Sequence, residues 1–411
     1  MTTKLTFNDI NHLQDTQIWS LMDYSVRDDF SKFVKEFNKS EYFVRIEGTH
    51  KSHTEYFLSS EHQHIPEFGH GFIINNQAIP YFHPNRSFHD EIIFLNRTVY
   101  YNEDANFADK LYNSALVKFY GPAGVMDLIT GHADANYLTK TKWPFVKFDA
   151  LLNDPDYELA IMQNIEVAFK NKQQIWGTTE LRTSLQTEAR NYSRLQRTPI
   201  DNLVDPNTDV SDRKMRPSDM IFWLKHLVHD HWLEFYSSKP DMEESFKKLT
   251  SHRGIGNYYG YHFSSNLARM PGIGAPQLIE AEWKQHFGLL QKDDPNLSHG
   301  NIDENADYVM AGTGACITLQ KLFPTIKIDS KTAMKLIIAI RDNQHEFFNI
   351  SESDNSDLHL NKSTELGKFT TFGIEIACCQ YSVFDRLRTD KLTAQKRAKS
   401  PISKFAEQKI Q

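Results

Sequence analysis

The segment "HRGIG", residues 252–256, has the residue types and spacing needed to bind a phosphate group. Gly254 and Gly256 can adopt the positive φ angles of a tight turn, and Ile255 between them is expected to fill the junction. The first N–H groups of a helix that follows such a turn lack intrahelical partners, and the helix dipole favours an anion there. Arg253 adds a positive charge at the same point. The spacing therefore predicts a contact with a nucleic-acid backbone that does not read sequence.

Two helical patterns flank this turn and would position its backbone. "MEESFKKLTS" directs Phe246 and Leu249 inward, and "NYYGYHFSSNLARM" spaces Tyr259 and Phe263 by four positions. The sequence thus predicts a helical hairpin over residues 242–268. A plain αα-hairpin with glycines at its turn is the alternative interpretation of the same spacing.

A second glycine-bearing helix start lies further along the chain, in "NIDENADYVMAGTGACITLQKLFP". Asp307 precedes its glycines, and the helix is expected to end at Pro324. The residues expected on its buried face are Ala315, Cys316, Leu319, Leu322 and Phe323.

Three segments then occur in an order typical of one protein family: "GIGNYYGY", "DYVMAGTGACITLQKLF" and "EIACCQYSVFDR". On these segments the chain resembles the helix-hairpin-helix DNA glycosylase superfamily. The closer resemblance is to the branch with the alpha-glutamyl/putrescinyl thymine pyrophosphorylases and the helical domain of the 5-hydroxymethyluracil DNA kinases. It covers mainly residues 215–390.

Several positions depart from the pattern of that branch. Gln380 and Ser382 stand where the family has a late acidic pair. Asn266 replaces an acidic residue after the hairpin, and Thr313 replaces a proline. Asp307 is the carboxylate retained at a matched position, so the resemblance implies a changed substrate or chemistry within the family.

The resemblance implies base excision from DNA. Cleaving an N-glycosidic bond develops positive charge on the sugar, and Asp307 is the catalytic carboxylate expected to stabilise it. The base must leave the duplex, which requires a grip on the phosphates and a pocket with stacking walls. The expected DNA-binding residues are Arg253, Gly254, Ile255, Gly256, Asn257, Thr313 and Gly314. The expected base-pocket residues are Tyr258, Tyr261, His262, Asn266 and Gln380.

The expected function is a DNA glycosylase that acts in antiviral defence. It would remove a hypermodified base, such as glucosylated hydroxymethylcytosine, from phage DNA and leave an abasic site. No lysine falls at a matched position of the second hairpin helix, so base removal without strand cleavage is expected. One alternative is a transferase that displaces pyrophosphate from a pyrophosphorylated hydroxymethyluracil base and attaches an amine or amino acid. A second alternative is a non-catalytic DNA-binding module.

The composition sets the broad class of the protein. The 411 residues are 40% hydrophobic and 24% charged, as in ordinary globular proteins, and the net charge of −7 excludes a uniformly positive surface. Cys316, Cys378 and Cys379 lack metal-ligand spacing, which favours a reducing, cytoplasmic setting. No apolar run suits a membrane helix, and "MTTKLTFNDINHLQ" is unlike a signal peptide. Double-stranded DNA with modified bases is the expected partner, without a cofactor, a membrane or an obligate protein partner.

The expected fold is mainly α. A helix-hairpin-helix glycosylase-like domain is predicted over residues 101–390, after a smaller α+β region over 1–100 and before a basic tail over 391–411. Within the first region, "YFVRIEG" and "TEYFLSS" are predicted strands. "GFIINNQAIPYF" predicts a strand-turn-strand unit at Asn75 and Asn76.

Two further segments have a predicted role. Prolines and polar residues over 189–219 predict a loop or a domain joint. In "HLVHDHW", His226 and His229 share a helix face that suits a metal, but no further ligand has a convincing spacing, so no metal is expected. The best DNA-facing charges outside the hairpin are Arg190, Arg194, Arg197, Arg213, Lys214 and Arg216, with a solvated loop as the equal alternative.

Overall fold

The computed structural model describes residues 4–45, 73–74, 77–78, 90–121, 125–130, 145–173, 175–176, 183–203, 213–275, 299–348 and 369–389. These residues are mainly helical, which confirms the predicted fold class at that level. They form two compact units: unit 1 contains the described residues before 90 and after 303, and unit 2 contains those from 90 to 303. Within the described ranges, no helix is long and apolar enough to cross a lipid bilayer.

The elements follow one another in chain order. Unit 1 begins with α1 (Phe7–Ile10), α2 (Asp15–Trp19), α3 (Tyr24–Arg45), β1 (Ile73–Ile74) and β2 (Gln77–Ala78). Unit 2 contains α4 (Asp90–Leu95), the π-helix π1 (Asn96–Tyr100), α5 (Phe107–Tyr120), α6 (Val125–Thr130), α7 (Phe148–Asn153), α8 (Pro155–Lys170), α9 (Thr183–Gln196), α10 (Pro199–Leu203), α11 (Ser218–Leu227), the π-helix π2 (Val228–Trp232), α12 (Leu233–Ser237), α13 (Met242–Thr250) and α14 (Asn257–Leu267). Unit 1 ends with α15 (Thr313–Leu322), α16 (Ser330–Asp342), α17 (Gln344–Phe347) and α18 (Thr371–Thr389).

Helix α5 of unit 2 packs against the helix that follows the glycine turn. It begins where Asn106 and Asp109 form a reciprocal capping box, because the Asn106 side chain accepts from the Asp109 N–H at 2.9 Å. Near its other end, the Phe119 ring lies 5.7 Å from the Tyr259 ring and 5.4 Å from the Phe263 ring. Helix α5 therefore packs directly against α14, the helix that follows the glycine turn.

Unit 1 joins the beginning of the chain to its C-terminal third. The Leu5 N–H donates to the Thr325 carbonyl at 2.9 Å, and the Lys327 N–H donates to the Leu5 carbonyl at 2.7 Å. In the same unit, the Phe30 ring of α3 lies 6.1 Å from Phe347 and 5.1 Å from Tyr381. The division into units therefore differs from the predicted boundary at residue 100, since α1 to α3 belong with α15 to α18.

The predicted α+β character of the N-terminal region is not confirmed. "YFVRIEG" was wrong as a strand over residues 42–45, because α3 continues as a helix through Arg45, and its last three residues lie outside the described residues. Phe30, Phe33 and Val34 of this helix are fully buried, and their spacing gives one apolar helical face. Strands β1 and β2 pair antiparallel, Ile73 with Ala78 and Ile74 with Gln77, whereas Asn75, Asn76, "TEYFLSS" and the basic tail lie outside the described residues.

The loop predicted over residues 189–219 was wrong over 189–196 and 199–203, which are helical, whereas residues 213–217 lie outside the helices. Helix α9 runs to Gln196, and α10 occupies Pro199–Leu203. Pro199 is the first residue of α10, and Pro217 directly precedes α11. Proline is tolerated at the first helical position because it needs no N–H partner there, so these prolines begin helices rather than break them.

Candidate functional site

The predicted glycine turn lies between two helices with the expected bounds. Asp241 caps helix α13, since its side chain accepts from the Glu244 N–H at 2.8 Å, and α14 begins after Gly256. Gly254 has a φ of 90°, which an L side chain rarely adopts. Gly256 instead has an extended φ of −78°, so its predicted positive φ was wrong. Ile255 between them is only 3% exposed and fills the junction as predicted.

Buried contacts fix the angle between the two helices. The Ser245 and Ser264 hydroxyls are 2.8 Å apart, and Tyr236 contacts the same Ser245 hydroxyl at 3.1 Å. The Phe246 and Tyr261 rings meet edge to face at 6.3 Å. Tyr261, predicted as a base-pocket wall, is thus 1% exposed and belongs to the core of the hairpin.

The start of α14 is open to solvent. Gly256 and Asn257 are both exposed, and a Cβ added at Gly256 would have no neighbour within 4 Å. The first intrahelical bond of α14 comes from the Gly260 N–H to the Gly256 carbonyl at 2.9 Å. The N–H groups that precede Gly260 in α14 have no carbonyl of the same helix to bond. They can therefore donate hydrogen bonds to a bound anion.

Side chains of helix α9 contact this turn and hold it in place. The exposed Arg253 guanidinium pairs with Glu188 at 2.9 Å, and the Ser184 hydroxyl donates to the Gly254 carbonyl at 3.2 Å. A Cβ added at Gly254 would lie 2.8 Å from the Glu188 side chain. Both backbone conformation and close packing therefore require glycine at position 254, whereas position 256 has neither constraint.

His252 ties the same turn to π2. The Trp232 indole N–H donates to His252 Nε2 at 3.0 Å. Burial lowers the pKa of His252 to about 4, and the nearby charges of His231, Lys248 and His226 act in the same direction. The imidazole is therefore neutral at neutral pH and is available as the acceptor of this bond.

The other histidines of "HLVHDHW" are engaged with a carboxylate. His226 and His229 both contact Asp230 through Nδ1. Burial lowers the pKa of His226, while Asp230 acts against that shift. In the part of the chain that the structure describes, no group of three or more His, Cys, Asp or Glu side chains is arranged to hold a metal ion.

Two of the arginines proposed to face DNA are used inside unit 2. Arg213 pairs with Asp219 at 2.6 Å and with Asp201 at 3.0 Å, and Arg216 pairs with Asp201 at 2.7 Å. Both aspartates are fully buried, so these cations neutralise them. Arg213 and Arg216 were therefore wrong as DNA-facing charges.

The remaining arginines of that segment are half-buried, and Lys214 is exposed. Arg194 donates to the Arg213 carbonyl, and Arg197 donates to the Asp201 carbonyl at 3.2 Å. Both side chains therefore also brace the segment. Arg190 lies on α9, the helix that supports the turn.

The other predicted base-pocket residues of unit 2 lie on α14. Tyr258 is half-buried, and its ring lies 4.2 Å from the His262 ring, which is 7% exposed. Asn266 is fully buried near the end of the helix. Only Tyr258 of these three presents much surface to solvent.

Asp307 lies in unit 1, and its side chain is 78% exposed. Its Oδ1 is 2.8 Å from Nη2 of Arg341, a guanidinium that is only 10% exposed. Arg341 also donates to the Asn305 carbonyl at 2.6 Å and to the Thr371 hydroxyl at 2.8 Å. The buried arginine thus fixes the loop that carries Asp307 and places a positive charge against its carboxylate.

The other predicted residues of unit 1 lie on α15 and α18. Thr313 is exposed at the first position of α15. Gly314 faces α18, since an added Cβ would lie 2.7 Å from Cys379 Sγ and 2.9 Å from Ser382 Oγ. Gly314 therefore permits close packing of α15 against α18. Gln380 is half-buried on α18.

Glu375 on α18 was not predicted from the sequence. It is 5% exposed, and its Oε1 accepts from the Gly312 N–H at 3.0 Å, at the start of α15. Burial raises the pKa of Glu375 to about 7, although the Gly312 N–H favours the ionised form. A carboxyl that titrates near neutrality can donate or accept a proton. The available signal was one acidic residue within the apolar run "TFGIEIACC".

Comparison with protein-family models, with curated proteins and with solved structures finds no match for this chain.

Proposed function

We propose that this chain binds double-stranded DNA through the turn between α13 and α14 and excises a modified base from that DNA. The single observation that carries the proposal is the geometry of the turn. The start of α14 is exposed at Gly256 and Asn257, and the exposed Arg253 stands beside it. N–H groups and a guanidinium at one exposed corner suit a phosphodiester oxygen.

Rigid support of the turn favours a binding role over a plain connection between helices. Ile255, the Glu188 pair of Arg253 and the Trp232 bond of His252 hold the turn in one conformation. A turn fixed in advance loses little conformational freedom when it binds a ligand. The glycine at position 256 keeps the N–H groups accessible although the backbone conformation there does not require glycine.

For the chemical step, we assign the carboxylate role to Asp307. Base excision develops positive charge on the deoxyribose, and an ionised carboxylate stabilises that charge. The guanidinium of Arg341 lies 2.8 Å from Asp307 Oδ1 and orients the carboxylate. The exposed tip of Asp307 leaves it accessible to a substrate.

The DNA contact is tested by a change of charge at an open position. Aspartate and serine both cap helix N-termini well, so Gly256→Asp and Gly256→Ser are expected to fold alike. Only the aspartate places a negative charge at the phosphate site. We expect Gly256→Asp to bind a plain 20-base-pair duplex at least about tenfold more weakly than Gly256→Ser at low salt, as measured by fluorescence anisotropy. Equal affinities of the two variants would contradict the proposal.

Excision is tested by two aspartates that share one arginine. Asp307 and Asp342 both lie against Nη2 of Arg341, at 2.8 and 2.7 Å. The wild-type protein is incubated with hypermodified phage DNA and with plain DNA, and released base and alkali-labile sites are measured. We expect alkali-labile sites on the modified DNA only, lost in Asp307→Asn and retained in Asp342→Asn.

Two other outcomes identify the alternatives. Release of pyrophosphate without abasic sites would indicate the transferase. Binding without any released product would indicate a non-catalytic DNA-binding module, and the excision step would then be rejected.

A further inference from the structure

Asn266 has an unusual environment at the end of α14. Its side chain is fully buried, and neither Oδ1 nor Nδ2 has a hydrogen-bond partner among the described residues. Burying a carboxamide without hydrogen bonds is unfavourable, and buried polar groups in native proteins are nearly always paired. A polar side chain kept in such a position indicates a role other than stabilising the fold.

Two more buried groups with the same property lie on π1. Asn96 is 5% exposed and Thr98 is 1% exposed, and the Asn96 Oδ1 and the Thr98 Oγ1 have no partner in the described chain. Tyr100 of the same π-helix connects them to α14, because its hydroxyl donates to the Asn266 carbonyl at 3.0 Å. Single-turn π-helices are frequent at functional sites.

The hydrogen bonds of Tyr100 continue to the backbone of Lys110, a half-buried residue of α5. The Ser114 hydroxyl contacts the Tyr100 hydroxyl at 2.9 Å and donates to the Lys110 carbonyl at 2.6 Å. Lys110 is half-buried, and its ammonium makes no hydrogen bond or ion pair within the described chain. Burial lowers the pKa of Lys110, while Asp109 acts in the opposite direction. We call Asn96, Thr98, Lys110 and Asn266 the Asn266 cluster; the hydroxyls of Tyr100 and Ser114 connect π1 to the backbone carbonyls of Asn266 and Lys110.

We propose that the Asn266 cluster binds the hydrogen-bonding edge of a nucleobase. A carboxamide offers one donor and one acceptor side by side, which pair with the adjacent N–H and carbonyl or nitrogen groups of a base edge. The three buried members of the cluster are uncharged, which favours an uncharged ligand over a phosphate. This inference rests on the proposed function, because a base that has left the duplex is the ligand.

The test compares the wild-type protein with Asn266→Leu, in which an apolar side chain of similar size removes both unpaired groups. The probes are duplexes that carry a single thymine, uracil, 5-hydroxymethyluracil or 5-hydroxymethylcytosine at one position. We expect the wild-type protein to discriminate between 5-hydroxymethyluracil and 5-hydroxymethylcytosine, whose hydrogen-bonding edges differ while their 5-substituent is the same, and Asn266→Leu to lower that ratio of affinities by roughly tenfold. Thr98→Val, which removes one hydroxyl at nearly constant volume, is expected to lower the ratio by a smaller factor.

The outcomes separate this inference from the proposed function. An unchanged ratio in Asn266→Leu would overturn the inference, as would a wild-type protein that binds the 5-hydroxymethyluracil and 5-hydroxymethylcytosine duplexes equally. Gly256→Asp, in contrast, is expected to weaken binding to all four duplexes by a similar factor. If Gly256→Asp binds like Gly256→Ser while the ratio still depends on Asn266, then the assigned DNA contact fails and the base site stands.

Discussion

Asn113 and Asn266 are the same residue type, both fully buried in unit 2, yet their carboxamides have opposite surroundings. Asn113 Nδ2 donates to the carbonyls of Asp109 and Val146, at 2.7 and 2.8 Å, and its Oδ1 accepts from the Val146 N–H at 2.9 Å. The Asn266 carboxamide has no partner in the described chain. A buried amide with every group paired fastens one segment to another, whereas an unpaired one lowers stability and suits a ligand.

Two lysines of α5 repeat this contrast. Lys118 is 7% exposed, and its Nζ is 3.1 Å from Glu91. Lys110, two turns earlier, is half-buried and makes no ion pair among the described residues. The region around Asn113 and Lys118 is therefore built for stability, and the Asn266 cluster is not.

The largest expected effect is at the buried ion pair. Lys118→Met removes the cation beside Glu91 and is expected to lower the free energy of unfolding by about 3–5 kcal/mol, because the buried carboxylate loses its ion pair with Lys118. Urea unfolding measures the loss. Lys110→Met, on the same helix, is the matched control and is expected to change stability by less than about 1 kcal/mol. An equal loss in both variants would remove the contrast between the two lysines.

The next effect is at the paired asparagine. Asn113→Leu removes three hydrogen bonds and leaves the buried Val146 N–H without its acceptor. We expect the free energy of unfolding to fall by about 3 kcal/mol, as measured by urea unfolding. A loss below about 1 kcal/mol would show that these bonds contribute little.

A smaller effect of the opposite sign is expected at the unpaired asparagine. Asn266→Leu replaces two unpaired polar groups with apolar surface and is expected to raise the free energy of unfolding by about 1–2 kcal/mol. The measurement is thermal and urea unfolding of this variant in parallel with Asn113→Leu. It compares directly the loss of a paired carboxamide with the loss of an unpaired one. Destabilisation by both variants would mean that Asn266 is a structural residue.

The smallest effect is a dependence on pH at the hairpin turn. The folded protein holds the pKa of His252 at about 4, below the 6.5 of an exposed histidine, so the unfolded chain binds more protons between these values. The contribution of His252 to stability is complete above pH 6.5 and is lost as the pH falls towards 4. His252→Gln keeps an acceptor for Trp232 but does not titrate. Between pH 6.5 and 4, we expect the free energy of unfolding of His252→Gln to fall by about 1 kcal/mol less than that of the wild type. This figure allows for solvent screening of the partly exposed imidazole.

The wild type and His252→Gln are compared by urea unfolding at several pH values between 6.5 and 4. Parallel stability profiles would show that the titration of His252 does not affect the fold.

Local rules predicted the hairpin and much of the helical content. The glycines, the flanking apolar spacing and Ile255 identified α13, the turn and α14, because these features depend on residues close together in the chain. Asn106 and Gly121 mark the ends of α5 for the same reason. The prolines of residues 189–219 misled the prediction, since proline both begins and ends helices and only the neighbouring packing distinguishes the two cases.

The sequence by itself determined the helices, the glycine turn and the candidate residues within it. The tertiary structure decided the partners of the polar side chains: Arg213 and Arg216 neutralise buried aspartates, Gly314 packs on α18, and Asn113 is paired while Asn266 is not. The physical reason is that a hydrogen bond or ion pair joins residues far apart in the chain. Whether a polar side chain stabilises the fold or is left for a ligand therefore depends on which distant groups folding brings to it.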